Sequence, residues 1–220
     1  MFIDSSRGSD SLRPPVLEIR QATEADHDAI WNIFHAVIAP GDTYAFDPKM
    51  SREEALAYWF RPDTYTYVAG QDRSASRPEG SQLDQSAGSL SSFHLDIPPI
   101  APPVIEGAAR RSRVWRQVAG TYILRPNQPV LGSHVANAAF MVAPNARGLG
   151  IGREMGEHCL SEARRLGFRA MQFNFVVSTN EGAIRLWKQL GFEIVGTLPG
   201  AFRHPQKGYV DVYVMFRSLL

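Results

Sequence analysis

The sharpest chemical signal in the chain is Arg147-Gly148-Leu149-Gly150-Ile151-Gly152, set between an apolar strand-like segment and a segment of helical period. Glycines let main chain approach a ligand closely, and the first turn of a helix leaves N–H groups unpaired and aimed outward. Together they make an anion site suited to a pyrophosphate. A Walker loop would need Gly-Lys-Ser/Thr, which is absent. A dinucleotide fold wants G-x-G-x-x-G early in the domain and an acidic residue about 20 positions on. Here the spacing is G-x-G-x-G, it falls late, and Gln172 and Asn174 occupy the downstream strand. Tyr44, Tyr122 and His134 are unranked candidates for a proton donor. His158 and Cys159 lie on the helix after the loop, with Cys159 on its apolar stripe and read as core. His204 sits in a turn region, Arg203-His-Pro-Gln-Lys-Gly208, that could overhang the site, and His94 reads as solvated. A lone cysteine makes neither an internal disulfide nor a zinc cluster, and no metal is expected.

The elements that must position the loop follow from hydrophobic period. Val16–Arg20 is a first strand. Asp26–Val37 is a helix, with Thr23 and Asp26 as caps and Ile30, Ile33, Phe34 and Val37 on one face. Ser51-Arg-Glu-Glu54 is a capping box opening a second helix through Phe60. Tyr65–Ala69 and Val114–Leu124 form a hairpin. Val135–Val142, apolar on both faces, suits a central strand. Gly148–Leu166 is a helix with Ile151, Met155, Cys159, Leu160, Ala163 and Leu166 as its buried stripe. Met171–Val177 is a strand, Glu181–Leu190 a helix, and Glu193–Thr197 and Tyr209–Phe216 are closing strands. The order β-α-α-β-β-β-α-β-α-β-β defines an α/β fold on a mixed sheet, in which the strands at 135 and 171 must run parallel.

Residues 1–14 read as a loose tail, and 15–220 as one domain interrupted at about 71–113 by a Ser-, Gly- and Pro-rich insertion without period. Such a stretch buries too little apolar surface to offset its chain entropy. Of the 220 residues 44% are hydrophobic and 20% charged, an ordinary globular balance. Lys+Arg 23 against Asp+Glu 22 gives a net charge of +1, which offers no field for nucleic acid or anionic membranes. No apolar run approaches the roughly 18 residues of a membrane span. The N-terminal residues lack the basic-then-apolar order of a secretory signal, so a cytoplasmic protein is expected.

The loop Arg147–Gly152 resembles the acyl-CoA loop, Q/R-x-x-G-x-G/A, of the GCN5-related N-acetyltransferases (GNAT), with Arg147, Gly150 and Gly152 at its fixed positions. Ser178–Phe192, with Asn180 and a helix ending in Gly-Phe, is similar to the next motif of that family. The resemblance spans about 16–70 and 114–218. It implies a GNAT fold in which two splayed parallel strands hold acetyl-CoA. Main chain of Phe140, Met141 and Val142 would bind the pantetheine arm, and amides of Arg147, Gly148, Leu149, Gly150, Ile151 and Gly152 the pyrophosphate. Asn180 would contact the cofactor, and an N–H near Val142 would stabilise the developing oxyanion. One departure is Trp187, which stands where many members carry a tyrosine that protonates the leaving thiolate; an indole N–H is a donor but no usable acid.

Three runs narrow the resemblance: Gly120–Asn127, Ser133–Phe140 and Phe173–Asn180, with Gly41-Asp-Thr-Tyr44 and Tyr58-Trp-Phe60 beside them. They look like fungal N-acetyltransferases that detoxify proline analogues such as azetidine-2-carboxylate. In that group two asparagines, one per splayed strand, bind the acceptor, and they fall here on Asn137 and Asn174, with Tyr44 nearby. Asn137 sits among alanines and Asn174 between phenylalanines, and a buried amide needs a partner because leaving it unpaired costs roughly 1–3 kcal/mol. Neither amide titrates, so their role would be orientation. The expectation is therefore an acetyl-CoA-dependent N-acetyltransferase acting on a small-molecule amine, with a proline-like imino acid favoured and polycationic acceptors disfavoured. The alternatives are a peptide or protein N-acetyltransferase and a non-catalytic acyl-CoA-binding regulatory module. The resemblance also implies a homodimer paired through C-terminal strands.

Overall fold

The structure, a computed structural model, describes residues 17–71 and 118–220. The expected N-terminal tail and nearly all of the expected insertion, His94 included, lie outside the described residues. Among the described residues, strands β1 (Leu17–Gln21), β2 (Tyr65–Gln71), β3 (Val118–Pro126), β4 (Val135–Val142), β5 (Ala170–Val177), β6 (Glu193–His204) and β7 (Gly208–Ser218) form one sheet. Their order is β1-β2-β3-β4-β5-β7-β6, so β4 is central, as its two apolar faces require. Ala136 and Ala138 pack with α3 (Ile151–Arg165) and α4 (Glu181–Gln189). Ala139 and Met141 pack on the opposite face with α1 (His27–Ile38) and α2 (Arg52–Trp59).

The helices end up where their apolar stripes dictate. Ile30, Ile33, Phe34 and Val37 of α1 bury against Trp59, Val68 and Ile123. Ile151, Met155, Cys159, Leu160 and Ala163 of α3 bury against β3 and β4, with Leu166 packed at their edge. The capping box of α2 forms as expected: Glu54 N–H donates to Ser51 Oγ at 3.2 Å and Ser51 N–H to Glu54 Oε2 at 2.9 Å.

Among the described strands only β4 and β5 run parallel, and their pairing stops after Val135↔Ala170 and Ala136↔Met171. Beyond that point β4 stays paired with β3 as far as Val142 and β5 stays paired with β7 as far as Val177, so the two parallel strands diverge into a wedge. A bulge between Phe173 and Val176 of β5 sits on the wedge wall.

Two boundaries differ from expectation. Strand β6 continues past Thr197 to His204, because an edge strand pairs on one side only and absorbs Pro199-Gly200 as a register shift between Leu198 and Phe202. Helix α3 begins at Ile151 rather than Gly148, since Gly148 and Gly150 hold φ of 78° and 81°, outside helical space. No helix among the described residues is long and apolar enough to cross a membrane.

Candidate active site

The wedge is a cleft of about 800 Å³. One end is the loop 147–152; the other is walled by Asp42–Phe46, Tyr58, Arg125, Asn137 and Asn174.

At the loop end, the positive φ of Gly148 and Gly150 turns the chain away from β4 and into α3, and a side chain at either would carry left-handed strain. A Cβ added at either would meet nothing within 4 Å, so both glycines open onto free space. Arg153 and Glu154 N–H groups bond back to the Gly150 carbonyl at 2.9 and 3.2 Å. Among the described residues no main-chain bond engages the N–H groups of 148–152. Arg147 and Leu149 are exposed, and Ile151 is buried. The result is a concave set of unpaired donors at a helix N-terminus, which fits a diphosphate. Asn180, on the cleft wall at the start of α4, spends its Oδ1 on capping Ala183 N–H at 3.3 Å, which leaves its Nδ2 donors.

Along the β4 rim, alternation decides which main-chain groups face the cleft. Ala143 N–H bonds Ala119 O and Asn127 N–H bonds Val135 O, so odd-numbered residues of β4 spend their main-chain groups on β3 and even-numbered ones turn theirs to the wedge. Phe140 and Val142 therefore face it. Met141 does not: its main chain pairs with Thr121 and its side chain is buried beneath α1 and α2, which corrects the expectation that it contributes main chain to a ligand. Phe140 is already engaged. The Tyr44 hydroxyl donates to Phe140 O at 2.6 Å and accepts from Phe140 N–H at 3.2 Å. Burial pushes the Tyr44 phenol well above its usual range. Val142 N–H has no partner among the described residues.

The far end holds a chain of amides. Asn137 Nδ2 donates to Gln172 O at 2.8 Å, across the gap where the β4–β5 ladder has ended. Gln172 Nε2 donates to Asn174 Oδ1 at 2.8 Å, and Asn174 Nδ2 donates to Asn127 Oδ1 at 2.6 Å. Asn137 is half-buried, but Asn174 is exposed, contrary to the expectation of a buried amide. The bulge at Phe173–Val176 turns Asn174 and Phe175 (40% exposed) outward. Opposite Asn137 in register stands Arg125, whose Nη2 donates to Tyr58 Oη at 3.0 Å while its guanidinium carbon lies 5.1 Å from the Tyr58 ring centroid. Asp42 is the only carboxylate among the lining residues. Beside it, Thr43 Oγ1 is buried without a hydrogen-bond partner.

Other expected residues lie elsewhere. Trp187 lines the cleft, yet it is a packing residue, 8% exposed, with its ring 4.8 Å from Phe140 and 4.9 Å from Phe173. Tyr122 is fully buried on the α3 side; its hydroxyl meets His158 Nδ1 at 2.6 Å, and burial drives its pKa far upward. His134 is exposed outside the cleft. His204 does not overhang an acceptor: buried in β6, its Nδ1 accepts from Gln206 and Lys207 N–H groups at 3.1 and 3.2 Å and so closes the β6–β7 turn. The sequence assigns no site role to Arg125, Tyr58, Asn127 or Gln172, although counting register back from the 126–135 turn places Arg125 opposite Asn137.

A central parallel pair that diverges over a glycine loop, with donors for a diphosphate at one end and a polar pocket at the other, defines a class of acyl-CoA-dependent acyltransferases. The family model described as acetyltransferase (GNAT) matches residues 102–192. The chain is 31% identical over 179 residues to the N-acetyltransferase aca1 of Schizosaccharomyces pombe, covering 80% of this chain and 72% of that one. It is also similar to the solved structure of a GCN5-related N-acetyltransferase from Kribbella flavida, with 36% identity, a TM-score of 0.70 and coverage of 92% and 97%. A phosphinothricin acetyltransferase of Sinorhizobium meliloti in complex with acetyl-CoA shares the fold at 17% identity and a TM-score of 0.65, covering 92% and 88%. The chain belongs to the GNAT family, and it is an acetyl-CoA-dependent N-acetyltransferase.

Proposed function

We propose that the acceptor is a small amino-acid-like amine, with a proline-like cyclic imino acid foremost. The observation that carries this reading is the amide chain Asn137–Gln172–Asn174–Asn127, whose Asn137 and Asn174 line the end of the cleft away from the loop, in a cleft whose lining holds a single carboxylate. Polycationic acceptors need acidic walls, and Asp42 is the sole carboxylate lining this end. Amides instead suit a compact, neutral or zwitterionic ligand.

Acetyl-CoA supplies the activated thioester. Gly148–Gly152 would hold its diphosphate through main-chain N–H groups, Arg147 would add charge at the mouth, and Asn180 Nδ2 and the Phe140 main chain would meet the amide groups of the arm. Val142 N–H points at the wedge without a partner and is the donor for the carbonyl oxygen as charge develops there; a donor of this kind contributes several kcal/mol in acyl transfer. Asn137 keeps its Oδ1 to accept from the acceptor N–H, while Gln172 O fixes the orientation of its amide. Asn174 braces the opposite wall. Neither asparagine can take the proton that the amine sheds, and Asp42 is the one lining residue whose chemistry allows it, directly or through water.

The test is release of free CoA thiol from acetyl-CoA with azetidine-2-carboxylate, 4-hydroxyproline, proline, primary amino acids, spermidine and a histone-tail peptide. Turnover concentrated on imino and amino acids is expected. Turnover led by the peptide or polyamine would overturn the acceptor reading and leave the N-acetyltransferase intact.

A further inference from the structure

We propose that Arg125 is a carboxylate-binding residue of the acceptor pocket, preset by Tyr58, and that it selects amines bearing a carboxylate beside the nitrogen. This rests on the acceptor reading above and deepens it.

Three observations converge. Arg125 lines the cleft and pairs in register with Asn137, and side chains directly opposite in an antiparallel ladder share a face with Cβ atoms about 4.5–5.5 Å apart. The two side chains therefore leave the sheet side by side on its α1–α2 face. Second, among the described residues no carboxylate lies within ion-pair distance of Arg125, although it is half-buried; its hydrogen bond to Tyr58 Oη uses one of five N–H donors. A half-buried arginine with donors to spare is matched by a planar anion, bound through two parallel N–H···O bonds. Third, the side chain is held. Tyr58 places its hydroxyl on Nη2 and its ring 5.1 Å from the guanidinium carbon, and Tyr58 itself packs on Phe46 with ring centroids 5.0 Å apart. The ordering entropy is thus spent before a ligand arrives. The other cations of the cleft lining, Arg147 and Arg153, stand at the loop end. A ligand carboxylate on Arg125 puts an adjacent ring nitrogen beside Asn137 and turns it toward the wedge.

The experiment compares azetidine-2-carboxylate with its carboxamide as acceptors for the wild type, Arg125→Met and Arg125→Lys, with the melting temperature and acetyl-CoA affinity of each variant measured alongside. The wild type is expected to favour the carboxylate in kcat/KM. Arg125→Met should raise KM for the carboxylate acceptor by about 10–100-fold, as loss of a charge-assisted pair does. It should leave KM for the carboxamide and the affinity for acetyl-CoA within about threefold. Arg125→Lys should recover part of the loss, because it restores charge without the fork. Equal loss on both acceptors makes Arg125 a packing residue and overturns the proposal, as does a wild type indifferent to the carboxylate. Failure of the wider acceptor reading looks different, since the wild type then turns over neither compound. In that case calorimetric titration of azetidine-2-carboxylate into CoA-saturated protein decides the subsite alone: binding lost in Arg125→Met supports it, and no binding to the wild type overturns it.

Discussion

Replacing Tyr44 by phenylalanine should move stability and cofactor affinity in opposite directions. The hydroxyl donates to Phe140 O at 2.6 Å and accepts from Phe140 N–H at 3.2 Å, so Tyr44→Phe deletes two hydrogen bonds and keeps the ring. Each such bond contributes about 0.5–1.5 kcal/mol net, which bounds the loss at about 1–3 kcal/mol. The two main-chain groups face a cleft that water enters, so the low end applies, about 1 kcal/mol or a fall of about 2–4 °C in Tm for a chain of this size. Yet the same two groups are what β4 offers to the amides of an incoming acyl-CoA arm, and in the wild type that arm competes with the Tyr44 hydroxyl. Removing the competitor should tighten acetyl-CoA binding about 3–10-fold, the equivalent of about 0.7–1.4 kcal/mol. Differential scanning fluorimetry and isothermal titration of acetyl-CoA read the two effects separately. A lower Tm with unchanged or weaker affinity would refute the reasoning, because it would mean that Tyr44 and the arm do not share the Phe140 main chain.

Three further outcomes follow from single sites. Burial pushes the His158 pKa below its ordinary 6.5, so the unfolded chain binds the proton first and stability must fall as pH drops below about 6.5; urea unfolding between pH 5 and 7.5 should show this slope, flattened in His158→Gln. The Glu162 carboxyl, held below its usual 4.5 chiefly by Arg165, adds a separate loss only at more acid pH. Trp187→Phe should cost about 1–3 kcal/mol of stability through lost packing on Phe140 and Phe173, with kcat within tenfold of wild type; a hundredfold loss of kcat at intact folding would instead make the indole N–H part of the chemistry.

The frame of the molecule was legible in the sequence because its signals are local or periodic. The stripe from Ile151 to Ala163, the Ser51–Glu54 box and the doubly apolar Val135–Val142 each specify an element by spacing alone, and two-sided burial made β4 central. The glycine loop was legible as a ligand turn, although its positive φ values displaced the helix start to Ile151. Less legible was whatever depends on where strands part. The end of pairing at Ala136 and the bulge after Phe173 are tertiary facts, and they decide that Asn174 is exposed while Phe140 and Val142, not Met141, turn main chain to the cleft. His204 departs from its expected place for a similar reason: Pro199-Gly200 looks like the end of a strand, and only pairing with β7 carries β6 on to a turn that His204 closes. Arg125 lies in the run Gly120–Asn127, but that run gives it no role, and its place opposite Asn137 appears only through β3–β4 register.

The central claim is a division of labour along one cleft, with the loop end for the acyl donor and the amide end for the acceptor. Its most direct test is a double dissociation in which acetyl-CoA Kd and acceptor kcat/KM are measured for Asn174→Ala and Gly150→Val. A side chain at Gly150 carries left-handed strain of about 1–2 kcal/mol and fills the open space over the loop. Gly150→Val should therefore weaken acetyl-CoA at least tenfold and leave acceptor KM, at saturating donor, nearly unchanged. Asn174→Ala should lower acceptor kcat/KM about tenfold and leave acetyl-CoA Kd within twofold. Equal loss of donor affinity in Asn174→Ala, or acceptor loss in Gly150→Val at saturating acetyl-CoA, would contradict the division.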